Sequence, residues 1–211
     1  MSWHAEDLIM TRLVETIIAP VVSSQTDLYV GLLESVISQQ LSVKVADIIY
    51  ARFCGLFENN NPLAEQVLLT DIEKLRSIGL SGQKVNYIRN IATFHQKYPI
   101  TMDRLTSLTD EEIITHLTQI KGVGRWTVQM LLMFPMNRPD IFPIDDLIIR
   151  QSMVELYKVN ETGKELHKRL HEIAERWKPN RTLACKYLWR SRDKKYLLLV
   201  QPTQDTITQI V

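Results

Sequence analysis

The stretch LTQIKGVGRWTVQMLLMF, residues 117–134, places a glycine-containing turn between two helical patterns. Apolar residues recur at helical spacing after the turn, over 125–134, and before it, over 111–119. The stretch therefore predicts two helices joined by a tight turn, with bounds of about 111–134. The apolar positions are Ile113, Ile114, Leu117, Thr127, Met130, Leu131 and Phe134.

The turn KGVGR consists of Lys121, Gly122, Val123, Gly124 and Arg125. Its two glycines let the backbone approach a ligand closely, because neither carries a side chain. The amides that open the second helix lie at the positive end of the helix dipole and bind an anion without further specificity. The two cationic side chains add charge at the same place. The turn therefore predicts a phosphate site, with an ordinary helical corner as the alternative.

Four segments together resemble one protein family. In chain order they resemble its Gln-rich helix junction, its helix-hairpin-helix, its aspartate segment and its closing segment. The family is the 3-methyladenine DNA glycosylase II family of the helix-hairpin-helix (HhH-GPD) superfamily. The resemblance implies a monofunctional enzyme of base excision repair that hydrolyses the N-glycosidic bond of alkylated purines and leaves an abasic site. The segments are VISQQLSVKVA (36–46), QIKGVGRWTV (119–128), FPIDDLIIRQ (142–151) and ERWKPNRTLACKYLW (175–189).

The resemblance also implies an all-α fold with two helical subdomains and a cleft between them. We expect one glycosylase domain over residues 1–211, without the N-terminal α/β domain of the bacterial type member, because little chain precedes the Gln-rich helix. The tail from about residue 195 to 211 lies beyond the matched segments. Helical periodicity continues over residues 42–57, 81–98, 145–157, 161–177 and 180–191.

A pair of aspartates, Asp145 and Asp146, opens the helical pattern at 145–157. Cleavage of an N-glycosidic bond leaves positive charge on the sugar. A carboxylate about 4 Å away, at an effective dielectric of about 20, lowers the energy of that charge by roughly 4 kcal/mol. Composition alone favours helix capping for both residues. The resemblance places the catalytic aspartate on Asp146, and capping or salt-bridging is then expected for Asp145.

The base pocket of the family falls on Trp126 and Trp189, with Met130 one helical turn beyond Trp126. Aromatic faces suit alkylated purines, because alkylation makes the ring cationic. Core packing is the alternative for any single tryptophan. Superfamily members that also cut the backbone carry a lysine at the position of Trp126, and an indole cannot form a Schiff base.

A flipped base leaves a gap that such enzymes fill with an inserted side chain. The family's wedge position falls on Gln40, and Leu41 is the apolar alternative. Lys84 and Arg89, on a later helical pattern, are either a second phosphate contact or solvated charges, and we expect solvated charges.

The bulk composition gives no global signature of a polyanion binder, because the net charge is only +1. A DNA-binding protein with this balance of charges needs a local basic face.

The 2 cysteines and 5 histidines form no metal-ligand pattern, so we expect no iron–sulfur cluster, no side-chain metal site and no required cofactor. A monovalent cation (Na⁺ or K⁺) on the hairpin carbonyls is implied by the family. The sequence contains no apolar run of about 20 residues, the length that a membrane-spanning helix needs.

We expect a monomer that acts on double-stranded DNA with alkylated bases, located in the bacterial cytoplasm or, in a eukaryote, in the nucleus. Two other functions stay open. One is a glycosylase for deaminated or oxidised bases, whose pocket would need hydrogen-bonding groups for a neutral lesion. The other is a non-catalytic helix-hairpin-helix DNA-binding protein, which has no need of a carboxylate facing a polyanion.

Overall fold

A computed structural model of the chain describes residues 6–18 and 27–192. Every regular element in those residues is a helix, so the predicted all-α fold is confirmed. The C-terminal tail discussed above lies outside the described residues. The helices are α1 (Leu8–Thr16), α2 (Leu28–Ser38), α3 (Val43–Cys54), α4 (Ala64–Leu69), α5 (Ile72–Ser77), α6 (Gly82–Lys97), α7 (Met102–Leu105), α8 (Asp110–Leu117), α9 (Arg125–Met133), α10 (Leu147–Leu156), α11 (Gly163–Glu175) and α12 (Arg181–Ser191), with a 3-10 turn at Glu58–Asn60.

The chain divides into two compact units. The central unit is Ser23–Asn137 and contains α2 to α9, whereas the terminal unit combines Met1–Val22 with Arg138–Val211 and contains α1 and α10 to α12. A single glycosylase domain over the whole chain and a cleft between two subdomains stay predictions.

The core of the central unit is built around α2. Its residues Leu32, Leu33, Val36 and Ile37 are fully buried, and the helix packs against α3, α6 and α9. Because these four positions follow helical spacing, they place one apolar face of α2 against its neighbours. Helix α9 differs from the predicted amphipathic helix, since all residues in 127–133 are buried. It is a core helix with its amino-terminal turn at the surface.

The terminal unit is held together by α12, which packs against α1 and α10. Asp7 joins the two ends of the chain in this unit and is only 4% exposed. It caps α1 through Met10 N–H and accepts hydrogen bonds from Tyr157 Oη at 2.8 Å and Trp177 Nε1 at 3.0 Å. Burial and the neighbouring Asp7 charge raise the pKa of Tyr157 well above its usual value, so its hydroxyl stays a donor.

None of the helices in residues 6–18 and 27–192 is both long enough and apolar enough to cross a membrane.

Candidate functional site

The hairpin of the central unit consists of α8, α9 and the turn at residues 118–124. Helix α8 begins at a capping box, in which Thr109 and Glu112 each accept the other's backbone N–H with their side chains. Ile120 and Val123 are buried and attach the turn to the core. The predicted pair of helices is therefore present, with α8 packed against α9.

The two turn glycines meet different requirements. Gly122 has a φ of +104°, and a Cβ there would lie 2.1 Å from Cγ of the Tyr87 ring, so both conformation and space demand glycine. Gly124 has a φ of −95°, and a Cβ there would meet nothing within 4 Å. Gly124 is the N-cap of α9, so the open space leaves room for a ligand at the start of that helix.

The two cations of the turn differ in their surroundings. Arg125 pairs with Glu111 of α8, with 2.9 Å between Nη1 and Oε2, and this hydrogen bond lowers the pKa of Glu111. Lys121 has an exposed side chain, while its carbonyl oxygen accepts a hydrogen bond from Asn90 Nδ2 at 3.0 Å. Lys121 therefore presents charge to solvent, whereas Arg125 shares its charge with a carboxylate of the hairpin.

Asp146 begins α10 in the terminal unit and is 7% exposed. Its Oδ1 accepts the backbone N–H of Ile149 at 2.9 Å and the indole N–H of Trp189 at 2.9 Å. A carboxylate held by two donors at the positive end of a helix is a fixed negative charge. Helix capping and a buried carboxylate are thus combined in this one residue.

Asp145 is exposed and lies outside the cap. Of the two expected roles, capping or salt-bridging, capping was wrong, because α10 begins at Leu147 and the N-cap is the residue immediately before it. Its charge acts on His171, whose pKa is nevertheless lowered, chiefly by burial.

Helix α12 supports the segment that leads to Asp146. Arg181 forms two hydrogen bonds to the Asp140 carboxylate, both at 2.8 Å. Thr182 Oγ1 donates to the Arg138 carbonyl at 2.6 Å and accepts from Ile141 N–H at 2.9 Å. The third contact is the hydrogen bond from the Trp189 indole to Asp146. These contacts join the closing segment to the aspartate segment within the terminal unit.

Cys185, on the same helix, does not offer a nucleophile. Burial raises the pKa of its thiol well above the usual value, and the nearby Asp146 charge raises it further. A protonated, fully buried thiol is inert.

The other predicted pocket residues lie in the central unit. Trp126 occupies the first turn of α9 and is half-buried, and Met130 is buried one turn later. Asp146 and Trp189 belong to the terminal unit. A base pocket formed jointly by these residues stays a prediction.

The wedge turn, defined here as residues 39–41, follows the end of α2. Gln40 has a φ of +59°, in the left-handed region that non-glycine residues rarely adopt, and its side chain is exposed. Leu41 is half-buried. The structure therefore presents Gln40, rather than Leu41, as the projecting residue of the turn.

Lys84 and Arg89 are not the solvated charges expected from sequence. Lys84 Nζ donates to the carbonyls of Ile37 and Gln39 at 2.7 and 2.8 Å, and burial lowers its pKa. Arg89 Nη1 donates to the Leu68 carbonyl at 2.9 Å. Their partners are far away along the chain, so helical periodicity carried no signal of these contacts.

The described residues contain no cluster of side chains suited to a metal ion. In residues 6–18 and 27–192, no group of three or more His, Cys, Asp or Glu side chains could hold a metal ion. His171 instead packs edge-on against Phe142, with ring centroids 5.2 Å apart.

Comparison with known proteins places this arrangement in a family. The profile of the HhH-GPD superfamily base excision DNA repair proteins matches residues 33–179. DNA-3-methyladenine glycosylase 1 of Schizosaccharomyces pombe is 39% identical over 166 residues, which are 77% of this chain and 72% of that protein.

Two solved structures are similar along most of the chain. The S. pombe 3-methyladenine DNA glycosylase in complex with abasic DNA superposes with a TM-score of 0.83 at 34% identity, covering 92% of this chain and 96% of that one. DNA-3-methyladenine glycosidase of Bacillus halodurans gives 0.79 at 28% identity, covering 95% and 91%.

Proposed function

This chain belongs to the HhH-GPD superfamily of base excision DNA repair proteins, and on that basis we propose that it is a monofunctional DNA glycosylase for alkylated purines. The similarity to proteins named 3-methyladenine DNA glycosylases supports this substrate class. The observation that carries the proposal is the buried Asp146 carboxylate, held by Ile149 N–H and Trp189 Nε1.

The reaction that suits this carboxylate is hydrolysis at C1′ of the damaged nucleotide. The bond between C1′ and the base nitrogen breaks, its electron pair leaves with the base, and a water oxygen bonds to C1′. Asp146 stabilises the positive charge that develops on the sugar and orients the water, which gives up one proton to the solvent as its oxygen bonds to C1′. The fixed orientation of the carboxylate matters, because a preorganised charge needs no rearrangement in the transition state.

The chemistry of the leaving group favours alkylated purines over neutral lesions. A purine alkylated at N3 or N7 is cationic, so the electron pair of the breaking bond neutralises it and no acid is needed to protonate the base. Neutral oxidised or deaminated bases leave less readily. Trp126 and Trp189 would offer aromatic faces to the cationic ring, and Met130 would line the same wall.

We assign strand binding to the hairpin. Amides at the start of α9, beside Gly124, and the exposed Lys121 would hold a phosphate of the DNA backbone. Val123 anchors this turn in the core, and Arg125 adds charge shared with Glu111.

The turn also has the donor chemistry for a monovalent cation. The Ile120 carbonyl accepts one hydrogen bond, from Val123 N–H at 2.9 Å, and the Lys121 carbonyl accepts one from Asn90. A carbonyl oxygen has two lone pairs, so one such bond is compatible with coordination of an ion. The ion would neutralise phosphate charge and would take no part in bond cleavage.

The proposal is tested with duplexes that each carry one lesion: 3-methyladenine, 7-methylguanine, ethenoadenine, hypoxanthine or 8-oxoguanine. We expect abasic sites, detected by strand cleavage in alkali, from the cationic purines in preference to the neutral bases. Preferential release of hypoxanthine or 8-oxoguanine would favour a glycosylase for deaminated or oxidised bases. Binding without release from any lesion would favour a non-catalytic DNA-binding protein.

The same reactions distinguish a monofunctional enzyme from a lyase. Because Trp126 cannot form an imine, borohydride should trap no covalent protein–DNA adduct. An adduct that disappears in Lys121→Ala would contradict this and identify the amine.

We also propose that the protein acts as a monomer, in a bacterial cytoplasm or a eukaryotic nucleus. Sedimentation of the purified protein tests whether it is a monomer.

A further inference from the structure

One side of α6 contacts both of the segments to which DNA contacts are assigned above. Lys84, Tyr87 and Asn90 follow one another at three-residue spacing, so they lie close together on the helix surface. Lys84 binds the wedge turn, the Tyr87 ring lies against Gly122, and Asn90 binds the Lys121 carbonyl. A single helix therefore fixes the wedge turn and the hairpin within the central unit.

The Lys84 contact is placed at the carboxyl end of α2. Its two acceptors are the carbonyls of Ile37, in the last turn of that helix, and of Gln39, the C-cap residue. An ammonium group at this end is stabilised by the helix dipole and binds carbonyls that the helix itself leaves unused. Lys84 acts as a C-cap supplied from a distant part of the chain.

A second contact braces the same turn from α9. Gln39 Nε2 donates to Thr127 Oγ1 at 3.0 Å, and Thr127 is buried next to Trp126. The backbone of the turn is thus held by Lys84, and its first side chain is held by α9. Gln40 directly follows the residue on which both contacts converge, and it has its uncommon backbone conformation with the side chain exposed.

We propose that Lys84 is a positioning residue for base extrusion, which holds the wedge turn in the conformation that inserts Gln40 into the DNA stack. The inference rests on the proposed glycosylase function. Extrusion of a base costs stacking and pairing energy, and an inserted side chain offsets part of that cost. A wedge that is already ordered before binding loses less conformational entropy on insertion.

We predict that loss of the Lys84 ammonium slows the release of bases that must be extruded from a paired duplex. Lys84→Met keeps the aliphatic stem and removes the ammonium. Loss of a charged hydrogen bond should lower the single-turnover release rate about tenfold or more for 7-methylguanine paired with cytosine in a duplex. Opposite an abasic-site analogue, where the lesion has no pairing partner, the rate should change by a smaller factor, since extrusion then costs less energy.

Arg89→Met is the matched control. Arg89 lies on the same helix and also binds backbone carbonyls, those of Leu68 and Thr70, away from the wedge turn. It should leave the ratio of the two rates unchanged. In a Gln40→Ala background, Lys84→Met should have little additional effect, because both changes act on one step.

Equal loss on both substrates, or the same ratio in Lys84→Met and Arg89→Met, would overturn the inference and leave Lys84 a stabilising residue only. A second measurement needs no enzyme activity. The amide of Leu41, in the wedge turn, donates to the carbonyl of Ser38, the last residue of α2, at 3.2 Å. Its hydrogen exchange should be faster in Lys84→Met and unchanged in Arg89→Met, and failure of this result would refute the brace.

The two proposals fail in different ways. If the wild-type protein releases no base from any lesion, the glycosylase function is wrong, and hydrogen exchange alone decides whether Lys84 orders the turn. If the wild type is active and the ratio of rates does not change, only the role of Lys84 is wrong.

Discussion

At the scale of single residues, Asp146 combines its role as the N-cap of α10 with the catalytic role that we propose for it. Asp146→Asn preserves an oxygen that can accept from Ile149 N–H and Trp189 Nε1, so we expect the fold to be retained. Removal of the negative charge should lower base release by about 10³, which corresponds to roughly 4 kcal/mol of transition-state stabilisation. Binding to abasic-site DNA should stay near normal, because the charge acts on the transition state.

The control for this variant is its neighbour. Asp145→Asn alters an exposed carboxylate outside the cap and should reduce the rate only slightly. A larger loss in Asp145→Asn than in Asp146→Asn, in single-turnover assays, would show that the catalytic residue was misassigned.

Trp189 allows a similar separation of roles. Trp189→Phe keeps an aromatic face and removes the indole N–H that donates to Asp146. If orientation of the carboxylate is important, the single-turnover rate should fall about tenfold, the effect of one hydrogen bond to a charged group. An unchanged rate would mean that Trp189 acts only through its ring. Thermal unfolding of the variant checks that the packing of α12 is intact.

At the scale of elements, the hairpin separates the needs of the fold from those of the ligand. Gly122→Ala forces a Cβ against the Tyr87 ring and strains a positive φ, so it should lower the melting temperature as well as DNA affinity. Gly124→Ala fits the backbone and the space, so the melting temperature should be unchanged. Any loss of affinity for undamaged duplex in Gly124→Ala then reports crowding of the DNA itself, measured by fluorescence anisotropy.

Elements with long periodic stretches could be predicted from the sequence. The pattern at 81–98 became α6 and the pattern at 180–191 became α12, within a residue or two at each end. Helices α4, α5 and α7 were not identified, because helices of 4 to 6 residues are too short to display a 3.6-residue period.

The sequence predicted only those candidate site residues that are defined by their neighbours along the chain. The hairpin turn and Asp146 were recognisable because their neighbours along the chain define them. Asn90 and Tyr87 were missed and Lys84 was wrongly expected to be solvated, since their partners lie on other elements and only folding brings them together. The choice between Asp145 and Asp146 as cap depended on the first residue of α10, and helix boundaries are the least certain feature of a periodic pattern.

At the scale of the whole molecule, Asp7 ties the beginning of the chain to its last third. Asp7→Ala leaves the buried donors of Tyr157 and Trp177 without this acceptor, and we expect a loss of roughly 3 kcal/mol or more in the free energy of unfolding. Asp27→Ala removes an exposed N-cap of α2 and should cost about 1 kcal/mol. Urea unfolding followed by tryptophan fluorescence measures both, and equal losses would contradict the importance of the buried network.

The composition of the terminal unit from both ends of the chain has a consequence for synthesis on the ribosome. The central unit is continuous, so its hairpin and wedge turn can fold while the later residues are still being translated. Asp7 precedes the central unit along the chain, whereas its donors Tyr157 and Trp177 follow it. A nascent chain therefore completes the segments proposed to hold DNA before Asp146 is translated, and the proposed base release depends on the part of the chain that is made later.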